Sequence, residues 1–322
     1  MRQVRVRSLA KINLDLRVLG KRADGYHELR TVFQTISLAD RIGIGFEPAR
    51  KTTLAIEGNV EIPNNLVLRA ADAVLSRMKR TGRVEFTLTK RIPMGGGLGG
   101  GSSNAAAVLL ALPVLVGGRL SLENRLEIAE QLGSDVSFFL LGGTAAGIGR
   151  GTELFPLPDG RPQHGVVVAP GIHVSTPDAY RALGRTSLTT DVNANDTYSF
   201  QSFAWGAAVP GQTLGISGAN DFESVVFRQF PLLKTIQGKL WRLGARPARM
   251  SGSGSALFGL FESKEAASRA RERLEKTLPQ GEAFEVRTVT RTAYRQMWRR
   301  ALQEHLASGD SGEWPLQSRY AK

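Results

Sequence analysis

The chain has 322 residues, enough for two domains with buried cores, and its 42% apolar and 22% charged residues exclude intrinsic disorder as the default state. Lysine and arginine outnumber aspartate and glutamate by 42 to 29, and the net charge of +13 favours acidic partners such as phosphorylated metabolites, nucleic acid or a membrane surface. Cysteine is absent, which excludes disulfides, thiolate metal sites and a cysteine nucleophile.

The first segment, "MRQVRVRSLAKINL", alternates charged with apolar residues and lacks the apolar core of a signal peptide. No run in the sequence approaches the ~18 consecutive apolar residues that a membrane span requires. We therefore expect a soluble, cytoplasmic protein without a membrane partner.

Strands are predicted first in the chain, because "VRVRSLAKINLDLRVLG", "HELRTVFQTISLADRIGIGFE" and "TTLAIEG" have a period of two. Helical spacing replaces this pattern in "NNLVLRAADAVLSRMKRTG", with Gly82 as the expected end of the helix. The segment "VEFTLTKRIP" is a further predicted strand, which Pro93 ends. A helix from about Ser102 and a second in "SLENRLEIAEQLG", ending at Gly133, follow it.

Six of the seven residues from Gly95 to Gly101 are glycine, and so much lost backbone freedom requires a compensating role. The cluster lies between a predicted strand and a predicted helix, which argues against a flexible linker. Ser102 and Ser103 are expected to cap the helix, whose unpaired N–H groups and positive dipole end favour an anion. Pro113 should end or kink this helix near Leu112.

Proline and glycine become dense near residues 156–162, and a domain boundary is predicted near 155. The second half alternates strands, such as "GVVVAP" and "ALFGLFES", with helices in "DFESVVFRQFPLLKTIQGKLWRLG" and "SKEAASRARERLEKTL". We expect two α+β domains, 1–155 and 156–290, followed by an extension, 291–322, to which we assign no role.

Three kinds of glycine-rich phosphate loop are candidates for this cluster. A Walker-type loop needs a lysine after its last glycine, and here Ser102 follows Gly101. The dinucleotide spacing is met by Gly95, Gly97 and Gly100, but the acidic residue at the right distance, Glu123, lies in a helical pattern rather than at a strand end. Both of these motifs are therefore disfavoured.

The residues from Pro93 to Ala106, "PMGGGLGGGSSNAA", resemble the phosphate-binding loop of the GHMP small-molecule kinases. The segments "AKINLDLRVLGKRADGYHELRTVFQTISLAD", "GSDVSFFLLGGTAAGIGRGTEL", "PGIHVSTPDAY", "GANDFE" and "MSGSGSALFGLF" resemble the same family in order. The resemblance implies an N-terminal ribosomal-protein-like α+β domain and a C-terminal ferredoxin-like α+β domain, with the active site in the cleft between them. It also implies transfer of phosphate from ATP to an alcohol.

Such a transfer requires a carboxylate as base or orienting group at the hydroxyl, and cations around the moving phosphate. Asp135, just after the helix ending in Gly133, can supply the carboxylate, and Lys11 the cation that keeps it ionised and contacts the acceptor oxygen. Asn13 lies two residues further along the strand, on the same face as Lys11, and would add a polar contact to the acceptor.

By resemblance, Tyr26 stacks on a cytosine base and His27 hydrogen-bonds to the base edge, with Thr176, Pro177 and Tyr180 as contacts from the C-terminal domain. This favours a cytidylyl alcohol of isoprenoid-precursor synthesis as the acceptor. Asn104 would add to the ATP contacts. The residues that match the family's ATP site are Asn65, Lys90, Pro93, Met94, Gly95, Gly96, Gly97, Leu98, Gly99, Gly100, Gly101, Ser102 and Ser103.

Mg²⁺ is expected with ATP, but no pair of carboxylates is spaced for dedicated metal ligation, and the metal ligands stay unassigned. The segment Ser251–Ser255, "SGSGS", would let the second domain approach the phosphate loop closely. Two alternatives remain open: another small-molecule kinase acting on mevalonate, homoserine or a sugar, and a basic nucleic-acid-binding module. The second lacks the clustered arginines and alternating aromatics of an RNA-binding sheet, so no nucleic-acid partner is expected.

Overall fold

The computed structural model describes residues 1–185, 200, 218–278, 281–307 and 314–321. Among these residues, none of the helices combines the length and the apolar character needed to traverse a lipid bilayer. The described chain forms two β-sheets, each of which packs against helices of its own.

The first sheet is built around a long antiparallel hairpin. Its strands are β1 (Arg2–Lys21), β2 (His27–Pro48), β3 (Thr53–Gly58), β4 (Gly82–Thr89), β5 (Thr144–Gly149) and β6 (Glu153–Pro156). Strand β2 pairs with β1 along its length, and its two halves pair separately with β5 and β4. All pairs in the sheet are antiparallel except β3–β4. The predicted strands of this half are confirmed.

Four helices cover the first sheet: α1 (Leu66–Met78), α2 (Gly100–Val116), α3 (Leu122–Leu132) and α4 (Val136–Leu141). Helix α1 ends at Met78, before the predicted Gly82, because Lys79 adopts a left-handed conformation with φ of 50°. The predicted end of α3 at Gly133 is confirmed. Every residue of α2 from Ser103 onwards is buried, so this apolar helix is the centre of the first core.

Helix α2 continues through Pro113 to Val116. The prediction that the helix ends near Leu112 is therefore wrong. A proline at this position has no N–H to donate to the carbonyl of Leu109, four residues earlier. The guanidinium of Arg125, a buried residue of α3, donates a hydrogen bond to that carbonyl instead. A side chain from the next helix thus replaces the missing backbone donor.

The second sheet has the strand order β10-β7-β9-β8 and is antiparallel throughout. Its strands are β7 (His164–Ala169), β8 (Ala248–Met250), β9 (Leu257–Phe261) and β10 (Glu282–Arg287), and its helices are α5 (Thr176–Leu183), α6 (Glu223–Gln229), α7 (Pro231–Arg242) and α8 (Lys264–Glu275). The segment predicted as one helix near residue 230 is divided into α6 and α7, because Pro231 begins a new helix.

The C-terminal segment returns to the first core. Helix α9 (Arg291–Leu302) buries Tyr294 and Trp298 there, and Leu316 joins them from beyond the helix. The Tyr294 hydroxyl donates a hydrogen bond to the carbonyl of Phe139 in α4, and the indole N–H of Trp314 donates to Leu140 over 2.8 Å. The described residues of the extension therefore pack against α4.

Candidate active site

A cavity of about 750 Å³ opens between the two sheets. Its walls come from β1 and β2, the glycine-rich loop, the start of α4, the turn after β5, helix α5 and the loop between β8 and β9. Among the described residues that line it, Asp135 is the only carboxylate. The remaining charged residues of the lining are cations, so the cavity suits an anionic ligand.

Lys11 and Asp135 meet at this cavity, although they are far apart in sequence. The Lys11 ammonium lies 3.4 Å from the Asp135 carboxylate, and the side chains are 4% and 33% exposed, respectively. Lys11 extends from β1 beside the glycine-rich loop, and its backbone N–H donates to the carbonyl of Leu98 over 3.0 Å. Asp135 directly precedes α4, so its carboxylate faces the cavity while the helix behind it is buried.

Asn13 connects this pair to the second half of the chain. Its Oδ1 accepts hydrogen bonds from the Lys11 ammonium at 2.7 Å and from the backbone N–H of Gly252 at 2.9 Å. Its Nδ2 donates to Thr31 Oγ1 over 2.8 Å, and that hydroxyl donates to the carbonyl of Asp15 over 2.7 Å. Because each amide atom has a partner of the right kind, the orientation of the Asn13 side chain is fixed.

The glycine-rich loop enters α2 through backbone geometry rather than through a side-chain cap. Gly99 is the N-cap residue, with φ of 70°, and no side-chain hydrogen bond caps the helix. The prediction that Ser102 and Ser103 cap a helix beginning near Ser102 is therefore wrong. Ser103 instead donates its hydroxyl to the carbonyl of Leu9 over 2.7 Å, while Ser102 lines the cavity. The helix N-terminus thus has no competing side-chain acceptor.

The loop between β8 and β9 lies directly against the glycine-rich loop, which confirms the expected role of its small residues. Ser251 Oγ donates to the carbonyl of Gly97 over 2.9 Å, and the N–H of Ala256 donates to the carbonyl of Gly96 over 3.2 Å. A Cβ atom on Gly97 would lie 2.1 Å from the carbonyl oxygen of Ser251. Only glycine allows this approach.

Aromatic side chains line the far end of the cavity. His27 stacks on Tyr180, with ring centroids 4.3 Å apart, and Tyr180 meets Phe222 edge-on at 4.8 Å. Burial, with a smaller contribution from Lys21, lowers the pKa of His27, and burial raises the pKa of Tyr180 to about 12. Both rings are therefore neutral near pH 7. Tyr26, at the same end of the cavity, is 52% exposed.

Residues from α5 complete this end. Thr176, the first residue of α5, shares a hydrogen bond of 2.8 Å with Ser253, and Pro177 lies in the same first turn. Asn13, Tyr26, His27, Thr176, Pro177 and Tyr180, the residues predicted to bind the acceptor, all line the same cavity.

Several cations of the cavity were not singled out from the sequence. Arg150 stacks over the ring of Tyr26, 4.6 Å from its centroid, and Arg181 and Arg185 extend from α5 and the residues after it. Arg181 is paired with Asp178, and Arg185 lies 3.3 Å from Asp221. Scattered basic residues that converge only in the fold leave no local sequence signal, apart from the excess of positive charge.

The residues predicted to contact adenosine lie elsewhere. Asn65 caps α1, accepting the N–H of Val67 over 3.0 Å. The ammonium of Lys90 forms an ion pair with Asp40, and the Lys90 side chain is 6% exposed. Of the predicted loop residues, Gly97 and Ser102 line the cavity between the sheets. Met94 is 62% exposed at the loop surface.

Comparisons with known proteins agree across both halves. The family model of the GHMP kinases N terminal domain matches residues 65–143, and that of the GHMP kinases C terminal matches residues 207–280. A curated protein of Solibacter usitatus, named 4-diphosphocytidyl-2-C-methyl-D-erythritol kinase, is 58% identical over 322 residues, covering 99% of this chain and 98% of its own. A protein of Thermus thermophilus with the same name is 40% identical, covering 95% and 98%.

Solved structures give the same result. A crystal structure of 4-(cytidine 5'-diphospho)-2C-methyl-D-erythritol kinase matches with a TM-score of 0.72 at 40% identity, covering 88% of this chain and 98% of that one. Homoserine kinase from Cytophaga hutchinsonii matches with a TM-score of 0.68 at 18% identity, covering 90% and 95%, and so shares the fold.

Proposed function

The chain belongs to the GHMP kinase family, and on this premise we propose that it transfers the γ-phosphate of ATP to the 2-hydroxyl of 4-diphosphocytidyl-2-C-methyl-D-erythritol, a step of the non-mevalonate route to isoprenoid precursors. The products are the 2-phosphate and ADP. The observation that carries the proposal is the Lys11–Asp135 pair, which faces a cation-lined cavity beside the glycine-rich loop. We also propose a cytoplasmic location for the protein, as expected from the sequence.

The acceptor would lie with its cytosine at the aromatic end of the cavity. The open face of Tyr26 suits stacking, and the neutral ring of His27 has one donor and one acceptor nitrogen for the base edge. Thr176, Pro177 and Tyr180 would form the opposite wall. Guanidinium groups at the same end, including that of Arg150, suit the diphosphate because arginine binds phosphate oxygens in a forked geometry.

ATP would bind with its phosphates at the N-terminus of α2, held by backbone N–H groups of the loop from Gly95 to Ser103. That helix end has no side-chain cap, so its amides can serve the ligand. Ser102 faces the cavity and suits a phosphate oxygen. The contact of Asn65 with the nucleoside remains a prediction, whereas the ammonium of Lys90, which was predicted to contact the nucleoside as well, is paired with Asp40.

In the transfer, the acceptor oxygen attacks the γ-phosphorus while the bond between that phosphorus and the β,γ-bridging oxygen breaks. The electron pair of the broken bond leaves with ADP, and the hydroxyl proton passes to Asp135. The Lys11 ammonium stabilises negative charge on the acceptor oxygen and on the phosphate. Asn13 holds that ammonium in position through its Oδ1.

Mg²⁺ would offset the charge of the triphosphate when it is bound with ATP. Among the described residues, no cluster of three metal-ligating side chains is present, and the cavity lining contributes the single carboxylate of Asp135. Mg²⁺ is commonly held by one or two carboxylates together with substrate phosphates and water. The residues therefore fit an ion held mainly by the phosphates of ATP and by water, with the Ser102 hydroxyl as the protein group that could join them, while Asp135 serves the acceptor hydroxyl.

The proposal is tested by measuring ADP release from ATP with the purified protein and a panel of alcohols. We expect turnover with the cytidylyl alcohol and little with mevalonate, homoserine or galactose. The site of phosphorylation is checked by ³¹P NMR of the product. Turnover of another alcohol, combined with failure of the cytidylyl substrate, would reject the acceptor assignment.

A further inference from the structure

A single buried carboxylate binds both ends of the glycine-rich loop. Asp40, on β2, is 0% exposed, and its Oδ1 accepts the backbone N–H groups of Arg91 at 2.7 Å and Ile92 at 2.8 Å. Its Oδ2 accepts Nδ2 of Asn104 at 3.0 Å and the ammonium of Lys90. Lys90 to Ile92 lie just before the loop, and Asn104 lies in α2 just after it.

Two further side chains support this arrangement. Asn59 accepts the backbone N–H of Lys90 over 2.8 Å and donates to its carbonyl over 3.1 Å. Ser8 donates its hydroxyl to Oδ1 of Asn104, so the amide group of Asn104 presents its N–H to Asp40. Two side chains thus hold each end of the loop: Asp40 and Asn59 at the entry, and Asp40 and Ser8 at the exit.

The Lys90 ammonium is buried within this network of hydrogen bonds. Its side chain is 6% exposed and paired with the fully buried Asp40, and a Cβ atom on Gly100 would lie 3.0 Å from Nζ. A buried ion pair is weak evidence for stability, since apolar residues of similar volume often stabilise a fold as well or better. A role in geometry accounts for it better, because backbone amides bind an anion well only when they are held in place beforehand.

We propose that Asp40 is a positioning residue for ATP binding: it holds both ends of the loop of residues 93–103, and Lys90 acts on the nucleotide through Asp40 rather than by contact. The inference rests on the proposed ATP site, and it gives a role to a residue to which the sequence analysis assigned none. A loop so rich in glycine gains the most from fixed ends, because glycine has the greatest freedom to lose.

The test is Asp40→Asn in the full-length protein. An asparagine keeps the shape and one acceptor oxygen, but its NH₂ group would face the donors of Lys90 and Asn104. We expect the KM and the Kd for ATP to rise at least tenfold, while the KM for the cytidylyl alcohol stays within twofold. As a matched control, Asp159→Asn alters a carboxylate that accepts the N–H groups of Arg291 at 2.6 Å and Thr292 at 3.1 Å, and should leave the ATP constants unchanged.

A double-mutant cycle tests the role of Lys90. If Lys90 acts only through Asp40, Lys90→Met weakens ATP binding, and the double variant Asp40→Asn/Lys90→Met binds ATP no more weakly than the weaker single variant. If Lys90 contacts the nucleotide directly, the two effects multiply, and this part of the proposal is overturned. Equal rises in both KM values, with a parallel fall in Tm, would overturn the positioning role as well, because they indicate general destabilisation.

The Kd for ATP is measured by calorimetry without acceptor, so that a failure of the inference can be told from a failure of the proposed function. A wild-type protein that binds ATP but does not phosphorylate the cytidylyl alcohol contradicts the acceptor assignment alone. An Asp40→Asn variant that folds and binds ATP like the wild type overturns the inference. If Asp40→Asn does not fold by circular dichroism, Lys90→Met decides, and unchanged ATP affinity in that variant is the refuting result.

Discussion

Replacing Gly97 with alanine perturbs the contact between the glycine-rich loop and the loop between β8 and β9. Gly97 has φ of +73°, and the left-handed conformation costs a residue with a Cβ atom about 1–2 kcal/mol. The new Cβ would also lie 2.1 Å from the carbonyl oxygen of Ser251 and 2.9 Å from its carbonyl carbon. Both atoms belong to the backbone, so a side-chain rotation cannot relieve the overlap.

The size of the effect follows from these distances. Ordinary contacts to a Cβ atom begin at 3.4 Å, so the two backbones would have to separate by about 1.3 Å. That separation breaks the 2.9 Å hydrogen bond from Ser251 to Gly97 and displaces Gly252 from Asn13, which orients the Lys11 ammonium. A misplacement of about 1 Å can cost on the order of 10²-fold in rate, so we expect kcat/KM to fall about 100-fold.

The assay is steady-state ADP release, with Tm measured in parallel. Gly244→Ala is the control, because Gly244 also has a positive φ, of +98°, but a Cβ there would meet no atom within 4 Å. We expect Gly244→Ala to lower Tm slightly and leave kcat/KM unchanged, which separates backbone strain from displacement. Gly97→Ala with kcat/KM within threefold of the wild type would refute the argument.

Three further predictions concern the cavity. Asp135→Asn should lower kcat by about 10²-fold or more, because the proton acceptor is lost, and should leave the Kd for ATP nearly unchanged; an unaltered kcat in the folded variant rejects the role. Lys11→Met should lower kcat more than it raises either KM, whereas an effect on KM alone would make Lys11 a binding residue. Because burial lowers the pKa of His27 from its ordinary 6.5, His27 is neutral at pH 7 and protonates only in more acidic solution. The KM for the cytidylyl alcohol should therefore be constant around neutral pH and rise only in more acidic solution, where His27 takes up a proton. His27→Gln should abolish the rise, and a rise that persists in that variant assigns it to another group.

Features encoded locally were predictable from the sequence. The alternation of β1 and β2, the helical spacing of α1 and the position of the glycine cluster between a strand and a helix all depend on neighbouring residues. The family resemblance located Lys11 and Asp135, and the fold brings their charged groups to 3.4 Å. Local sequence patterns were sufficient for features that depend on a single strand, helix or loop.

Features that depend on distant residues were not predictable in the same way. The continuation of α2 past Pro113 requires the guanidinium of Arg125, and no pattern within the helix indicates that donor. The pairing of Lys90, just after β4, with Asp40 on β2 depends on the fold, and no local pattern indicated this partner. The resemblance had placed Lys90 in the ATP site. Helix α2 begins after Gly99, which is in a left-handed conformation and has no side chain to cap the helix, so no capping residue marks this start in the sequence.

The return of α9 to the first core has a consequence for biosynthesis. The hydrophobic layer that surrounds α2 is completed by Tyr294, Trp298 and Leu302, which are synthesised after every strand of the second sheet. The nascent N-terminal half therefore exposes an unfinished apolar surface until Leu302 has left the ribosome. Premature termination before residue 291 should yield an aggregation-prone polypeptide, and shielding by a chaperone is most valuable during that interval.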